Sequence, residues 1–444
     1  FDFNRRRMSV VLEDKNDKRQ LVTKGAVEEM LSICRYAEFD GKVIELDESI
    51  EKQVLEMVAK LNNDGMRVIA VAQKNEIPKE GLMGYIGFLD PLKETAKEAI
   101  EALQKHGVAV KVLTGDNENI TRKICRDVGL PVDKIILGNE LDHLSDEELS
   151  RIVEDVYVFA KLTPMQKARV IRLLKDKGHT VGYMGDGIND APALKEADVG
   201  ISVDNAVDIA KESADIILLE KSLMVLEKGV IEGRRIFGNI VKYIKMTTSS
   251  NFGNVFSVVV ASAFLPFLPM LPVQLLVQNL LYDISQISIP WDNMDEEYLR
   301  EPRKWDADDL GRFMVFVGPI SSIFDIATFW VMWHVFGANT VAKQSLFHSG
   351  WFVVGLISQT LIVHMIRTEK IPFIQSNAAP PVLLLTSLII ASGVIIPYTT
   401  FGASIGLQPL PLAYFPWLIG ILLGYCLLMQ IVKKIYIKKY GSWL

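Results

Sequence analysis

Two carboxylates set in a glycine-flanked turn are the most chemically loaded feature of this 444-residue chain. The stretch Gly185-Asp186-Gly187-Ile188-Asn189-Asp190-Ala191-Pro192-Ala193-Leu194 follows the apolar run 180–184. That order predicts a buried strand, a tight turn and the start of a helix. Glycine on both sides of Asp186 lets the backbone turn sharply and come close to a ligand. Asp186 and Asp190 can then offer oxygens to a hard cation such as Mg2+, and a metal held beside a phosphoryl group is the chemistry this implies. A bare Gly-Asp-Gly would equally suit a helix cap; ten residues in this order are more specific.

Other groups suited to phosphate stand at the ends of apolar runs, where an open α/β sheet collects its ligands. The β-branched run 108–113 predicts a strand delivering Thr114-Gly115-Asp116, whose hydroxyl and following backbone amides suit phosphoryl oxygens. The run 84–89 ends at Asp90-Pro91, and segment 159–167 brings Lys167 early onto an amphipathic helix. Alone, Lys167 would read as a solvated helix lysine. Taken on through Lys195-Glu196-Ala197-Asp198-Val199-Gly200-Ile201, the turn resembles the hinge motif of the P-type ATPases, cation pumps that pass through an aspartyl-phosphate. The resemblance implies that Asp186 and Asp190 organise a catalytic Mg2+. It also implies that Thr114, Gly115, Asp116 and Lys167 hold the phosphoryl group, Lys167 as a point charge, and that Asn189 positions the hinge.

Such pumps carry their nucleophile in an Asp-Lys-Thr-Gly-Thr segment, and the Asp-Lys pairs here, at Asp14, Asp17, Asp133 and Asp176, continue differently. The expectation is therefore the C-terminal part of a longer pump, beginning inside the nucleotide-binding domain. Its partner would be the missing N-terminal part, with the nucleophile, the actuator domain and the first membrane spans; alone, the chain cannot be autophosphorylated. Residues 1–82 fit the partial nucleotide domain, opening with an aromatic and basic stretch, Phe1 to Arg7, as an adenine and a triphosphate require. By resemblance, Phe1 stacks on adenine, Lys24 of the Lys-Gly-Ala motif lines its pocket, Arg67 contacts phosphate, and Asp90 completes the cofactor-binding set. ATP and Mg2+ are the implied cofactors. Phe3 departs from calcium-pump relatives, which have a basic residue there. A net charge of −6 argues against nucleic acid as a partner.

Up to about residue 238 the chain is charged and periodic like an α/β protein; by the resemblance, 83–238 is a haloacid-dehalogenase-like phosphorylation domain lacking its nucleophile segment. Beyond it come six apolar runs, near 244–266, 272–291, 312–336, 347–366, 380–400 and 412–437, each about the 20 residues that a helix needs to cross a bilayer. The expected fold is thus α/β cytoplasmic domains followed by an all-α bundle of six transmembrane helices over 239–444, with the lipid bilayer as partner. Basic residues cluster in alternate loops: Arg234, Arg235, Lys242 and Lys245 before the first run, Arg300, Arg303, Lys304 and Arg312 after the second, Arg367 and Lys370 after the fourth, and Lys433, Lys434, Lys438 and Lys439 at the end. By the positive-inside rule these sides, with the catalytic domains and the C-terminus, are cytoplasmic. A multi-pass protein of the bacterial inner membrane is expected. Cys34, Cys125 and Cys426 are too scattered to suggest a disulfide framework or a metal site.

An intramembrane polar cluster is costly and usually functional. The first run contains Asn251 and Asn254, three apart, and the second Asn279 and Asp283, four apart, so each pair shares a helical face. If the pairs face each other they make an all-oxygen site, and they fall on cation-binding positions of the calcium-pump pattern, with Asn254 replacing a carboxylate and Tyr282 a threonine. Fewer anionic ligands suit one partly hydrated divalent ion, Mg2+ above all. Asp325 in the third run either lines the ion path or pairs with His334, Gln359 or His364. Loop 292–311 carries eight acids against three basic residues, and its beginning resembles bacterial magnesium-importing P-type ATPases. The implied function is ATP-driven Mg2+ import; the alternatives are a pump for Ca2+ or another cation, or a non-catalytic fragment acting as a membrane-bound partner.

Overall fold

The computed structural model describes residues 7–13, 19–39, 41–75, 80–89, 95–220 and 222–444. Phe1 and Asp90 lie outside the described residues. The chain forms two compact units, Phe1–Lys228 and Gly229–Leu444.

The first unit opens with β1 (Arg7–Glu13), β2 (Arg19–Gly25), α1 (Val27–Leu31), β3 (Tyr36–Phe39), β4 (Lys42–Glu45), α2 (Glu48–Asn63), β5 (Met66–Asn75) and β6 (Glu80–Leu89). The strands make one sheet in the order β1-β2-β5-β6-β3-β4. Asp47 caps α2 by accepting from Ile50 N at 2.8 Å. Val27, Met30, Val54 and Val58 of the two helices close over Ala70 and Ala72 of β5, while Val11, Ile86 and Phe88 stay exposed. The run 84–89, expected to lead into the phosphate-binding sheet, belongs here instead: β6 pairs antiparallel with β5, Met66 opposite Leu89. Ile86 and Phe88, two apart on one face of the strand, are both exposed, which fits this pairing. One covered and one open face suit an antiparallel sheet, whereas a parallel strand flanked by helices is buried on both faces.

The chain then alternates helices and short strands through α3 (Ala96–Lys105), β7 (Val112–Leu113), α4 (Glu118–Asp127), β8 (Ile135–Leu137), α5 (Gly138–His143), α6 (Asp146–Ile152), β9 (Val158–Ala160), α7 (Pro164–Asp176), β10 (Gly182–Met184), α8 (Ala191–Glu196), β11 (Val199–Val203), α9 (Asp208–Ser213) and β12 (Ile216–Leu218). They form two parallel sheets, β7-β9-β8 and β10-β11-β12. Phe159, Val170, Leu173 and Leu174 make a core on which both Leu113 and Val181 pack, so the strands carrying the two phosphate motifs rest on common ground.

The second unit is helical. α10 (Leu223–Phe264) starts before the boundary between units and runs for 42 residues. It is followed by α11 (Pro272–Gln286), α12 (Glu296–Leu299), α13 (Ala307–Trp330), α14 (Gln344–Ile366), α15 (Pro380–Ile395), α16 (Thr400–Ser404) and α17 (Tyr414–Tyr440). Four helical stretches among the described residues are long and apolar enough to cross a membrane: Ala307–Val335, Val341–Ile366, Pro380–Tyr398 and Tyr414–Tyr440. The first two of the six runs fall short of that standard for physical reasons. α10 is long but polar from Lys242 through Asn254, and α11 has 15 residues, about 22 Å at 1.5 Å per residue. Pro290, in the 3-10 turn Ile289–Trp291, has no amide with which to continue α11. Of the membrane-length stretches, the one containing α14 is 89% buried over its apolar window, against 28% and 22% for those of α15 and α17. α14 is therefore the centre of the bundle and the last two helices its apolar outer wall.

Several acids of the 292–311 loop are engaged by the protein itself. Asp292 Oδ2 takes both Lys242 Nζ and Arg367 Nε at 2.8 Å, and its Oδ1 accepts from Ala379 N at 3.1 Å. Asp309 pairs with Lys245 at 2.7 Å, and Asp306 caps α13. No group of three or more His, Cys, Asp or Glu side chains that could hold a metal occurs among the described residues.

Candidate active site

Asp190 sets the shape of the turn after β10. Its Oδ1 accepts from Lys167 Nζ at 2.8 Å and from the Tyr183 hydroxyl at 2.8 Å, and its Oδ2 accepts from Gly187 N at 3.1 Å. Gly185 makes room for that side chain: a Cβ there would lie 2.5 Å from Asp190 Cβ. The same glycine is fixed to β11, its amide donating to Ile201 O at 3.1 Å and its carbonyl accepting from Ser202 Oγ at 2.9 Å. Lys167 is 8% exposed, and α7, which carries it, is anchored by Thr163 and Gln166 in a reciprocal cap. Burial pushes the Asp190 carboxyl up, but the hydrogen bonds from Lys167 and Tyr183 outweigh it and hold the group below the ordinary aspartate range. Burial, with the Asp190 charge, drives the Tyr183 phenol well up, so Tyr183 stays a donor.

Asp186 is placed differently. It is exposed; its carbonyl accepts from Val207 N at 3.1 Å, and its carboxylate takes no hydrogen bond or ion pair among the described residues. Asn189 is likewise exposed, in the 3-10 turn Ile188–Asp190. One carboxylate of the motif thus builds the turn and the other is left for a ligand. Gly185→Ala should lower the stability of the first unit by about 1–3 kcal/mol, the usual cost of forcing extra volume into a packed site. Urea unfolding followed by far-ultraviolet circular dichroism measures this, and an unchanged midpoint would mean that the turn relaxes freely.

The second phosphate motif ends β7, where Thr114 N donates to Phe159 O at 3.0 Å. The loop closes on itself, Asp116 N donating to Thr114 Oγ1 at 3.1 Å and Thr114 Oγ1 to Asp116 Oδ2 at 3.2 Å; Gly115 is exposed. Arg67, expected at a nucleotide phosphate, forms an ion pair with Asp116 Oδ1, and nearby Lys123 Nζ donates to Asp64 O at 2.6 Å. The six-stranded sheet is thereby tied to the phosphate loop. Lys24 is exposed on β2, opposite Met8 and Val71. Sequence reasoning missed Tyr183 and the Arg67–Asp116 pair. A tyrosine one residue before the end of an apolar strand is the only signal for the first, and nothing local marks the second.

In the bundle, Asn251, Asn279 and Asp283 are exposed and Asn254 is half-buried. No hydrogen bond joins any two of the four among the described residues. Asp325 is buried and satisfied, Oδ2 accepting from Ser257 Oγ at 2.7 Å and Oδ1 from Trp351 Nε1 at 3.0 Å. The pairing with His334, Gln359 or His364 does not form; His364 Nε2 instead meets Thr386 Oγ1 at 3.0 Å. Spacing along two helices predicts a shared height but not which faces meet.

Comparison with known proteins decides the family. The chain is 58% identical over 99% of its length to a magnesium-transporting ATPase, P-type 1, of Salmonella typhimurium. This chain belongs to the P-type ATPases. A protein of the same name from Escherichia coli K12 is 56% identical over 99% of the chain, and a calcium-transporting ATPase of Bacillus subtilis is 30% identical over 84% of it, covering 44% of that relative. The chain spans about half the length, 50%, of the first two relatives. The family profile described as cation transporting ATPase, C-terminus, matches residues 267–435, and the one for haloacid dehalogenase-like hydrolases matches 36–198. This P-type ATPase segment thus joins a dehalogenase-like part to a largely helical part containing membrane-length helices.

Proposed function

We propose that the pump to which this segment belongs imports Mg2+ into the cytoplasm, driven by ATP through an aspartyl-phosphate. The observation that carries the reading is the divided use of the turn's carboxylates, Asp190 fixed by Lys167, Tyr183 and Gly187 while Asp186 stays open at the end of a parallel strand. β7 and β10 are both edge strands packed on one core. A strand brought by the rest of the pump, ending in the nucleophilic aspartate, would fit between them and set that residue near Thr114 and Asp186. In this reading Asp186 and Asp190 organise the catalytic Mg2+, Lys167, Thr114, Gly115 and Asp116 hold the phosphoryl oxygens, and Asn189 keeps the hinge in register. Residues 1–82 take the nucleotide through Phe1, Lys24 and Arg67, 83–238 form the phosphorylation domain, and Asp90 of the latter completes the nucleotide-binding set. Residues 239–444 supply six membrane passes, α10 and α11 crossing with polar faces turned to the remaining spans. The catalytic units and the C-terminus face the cytoplasm of a bacterial inner membrane.

Mg2+ is favoured over Ca2+ because Asp283 is the one carboxylate among the four expected cation ligands, and Ca2+ ordinarily recruits six to eight oxygens with more charge. The magnesium-transporting names of the relatives from Salmonella typhimurium and Escherichia coli support the same choice. In proteoliposomes of the intact pump with catalytic units outward, added ATP should drain luminal Mg2+ outward, read with a trapped indicator. ATP-driven filling of the lumen would reverse the direction of transport. Phe1→Ala in the intact pump should weaken ATP binding by about 1–3 kcal/mol, the range for loss of an aromatic base-stacking platform. Isothermal titration checks this, and an unchanged affinity would place the adenine elsewhere.

A further inference from the structure

The loop between α14 and α15 holds large apolar side chains outward on a backbone that is fixed from several sides. Phe373 has φ +64°, the left-handed region, where a bulky side chain is an outlier. Such strain persists only where the surroundings determine it, and here they do. Phe373 N donates to Ser376 O at 3.2 Å, Gln375 N to Ile371 O at 2.9 Å, and Ile371 N to Gln375 Oε1 at 3.0 Å. Ser376 is itself held: its carbonyl and hydroxyl accept from Arg367 Nη1 at 3.3 and 3.0 Å, and the hydroxyl donates to Asp295 Oδ1 at 3.0 Å. This tight loop leaves Phe373 51% and Ile374 80% exposed.

Two side-chain contacts fix the depth of the loop. The centre of the Phe373 ring lies 4.7 Å from that of His364, which belongs to the membrane-length stretch Val341–Ile366. His364 Nε2 meets Thr386 Oγ1 at 3.0 Å. Thr386 stands six residues beyond Pro380, where α15 starts, about 9 Å along a helix. Phe373 is therefore folded back beside the first turns of α15 and does not stand out beyond the helix ends. The bilayer has little freedom to sit elsewhere. The stretch Pro380–Tyr398 has 19 residues, about 28 Å at 1.5 Å per residue, and the hydrocarbon core is about 30 Å thick. The hydrocarbon boundary must then fall close to Pro380, so a half-exposed ring at the level of His364 faces lipid.

α15 belongs to the apolar outer wall of the bundle and leaves Leu384 and Leu388 exposed, and the loop tip continues that lipid-facing surface. We propose that the 371–376 loop is a membrane-interface anchor, with Phe373 and Ile374 inserted among the lipids at the edge of the hydrocarbon core. Insertion removes two large apolar side chains from water, and the polar side of the loop stays on the protein, where Ser376 joins Arg367 and Asp295. Arg367 also pairs with Asp292, which takes Lys242 of α10. The anchor thus ties a buried ion cluster of the bundle to the bilayer surface. It rests on the membrane-spanning fold and is independent of which ion is carried.

A nitroxide at Ile374→Cys tests this in the intact pump, its other cysteines replaced, reconstituted in liposomes. Collisions are measured with oxygen, which concentrates among acyl chains, and with a water-soluble nickel chelate. Leu384→Cys on α15 is the lipid reference and Glu301→Cys, at an exposed position before α13, the water reference. The oxygen-to-nickel collision ratio at Ile374 should exceed that at Glu301 by at least about three-fold, because polar solutes are excluded from hydrocarbon. A smaller ratio would place the tip in water, and a label shielded from both reagents would mean that a protein partner or a second copy covers it; either result overturns the proposal. Should that variant fail to accumulate, Ile374→Trp keeps a large apolar side chain. The emission it adds over the parent should be quenched by brominated lipid and not by iodide. Quenching by iodide, or by neither, overturns the assignment.

Discussion

Asp186→Asn in the intact pump should leave essentially no phosphoenzyme from labelled ATP, a loss of at least about 100-fold, while the protein stays folded and still binds nucleotide. Phosphoryl transfer asks little covalent chemistry of a protein and depends on fixed charges and a metal placed where charge develops. Asp186 is the open carboxylate of the turn, so its replacement by a neutral isostere removes metal binding and disturbs no hydrogen bond of the first unit. Asp190→Asn is the instructive contrast. It strips the partner from Lys167, which is 8% exposed, and weakens three hydrogen bonds at once, so that variant should lose stability together with phosphorylation. Leaving a buried charge unpaired commonly costs about 3–5 kcal/mol. Acid-quenched phosphorylation measured beside a thermal melt separates the two. Normal phosphoenzyme in Asp186→Asn would remove this residue from the mechanism.

That contrast marks how far the sequence could be read. Glycines at 185 and 187 and acids at 186 and 190 were enough to place a strand, a turn and a helix start, because backbone freedom and capping are local properties. Which acid would build and which would stay open was not legible, since Lys167 and Tyr183 reach Asp190 through tertiary packing. The run 84–89 shows the same limit. Its apolar character foretold a strand, but the partner depended on β5, and the antiparallel pairing drew it into the other sheet. In the bundle, hydropathy located apolar runs well where helices are apolar along their whole length. It overextended α11, which stops at Gln286, and it could not see that Asp292 and Asp309 answer buried lysines and an arginine. Asp325, singled out in the third apolar run, is buried, yet its partners, Ser257 and Trp351, come from helices whose facing could not be deduced from spacing.

The other large effect concerns the transported ion. Asp283 is exposed on α11, and none of the described residues pairs with it. A carboxylate in that position within a bilayer would be costly unless a cation or another part of the pump met it. Asn279 lies one turn before it on the same face, and Asn251 and Asn254 offer further neutral oxygens from α10. No Cys or His stands among them, which disfavours soft transition metals. Asp283→Asn keeps the size and shape of the side chain and removes the single negative charge. In the intact pump it should abolish Mg2+-dependent growth rescue of a transport-deficient, magnesium-starved cell, with membrane insertion and ATP binding preserved. Asp325→Asn serves as the comparison, because Asp325 already has both oxygens occupied by Ser257 and Trp351 and should act through packing, lowering stability before it alters ion affinity. If Asp283→Asn still rescues growth at limiting Mg2+ while Asp325→Asn loses ion affinity without loss of stability, the cation is held at the α10–α13–α14 contact and not at the exposed face of α11.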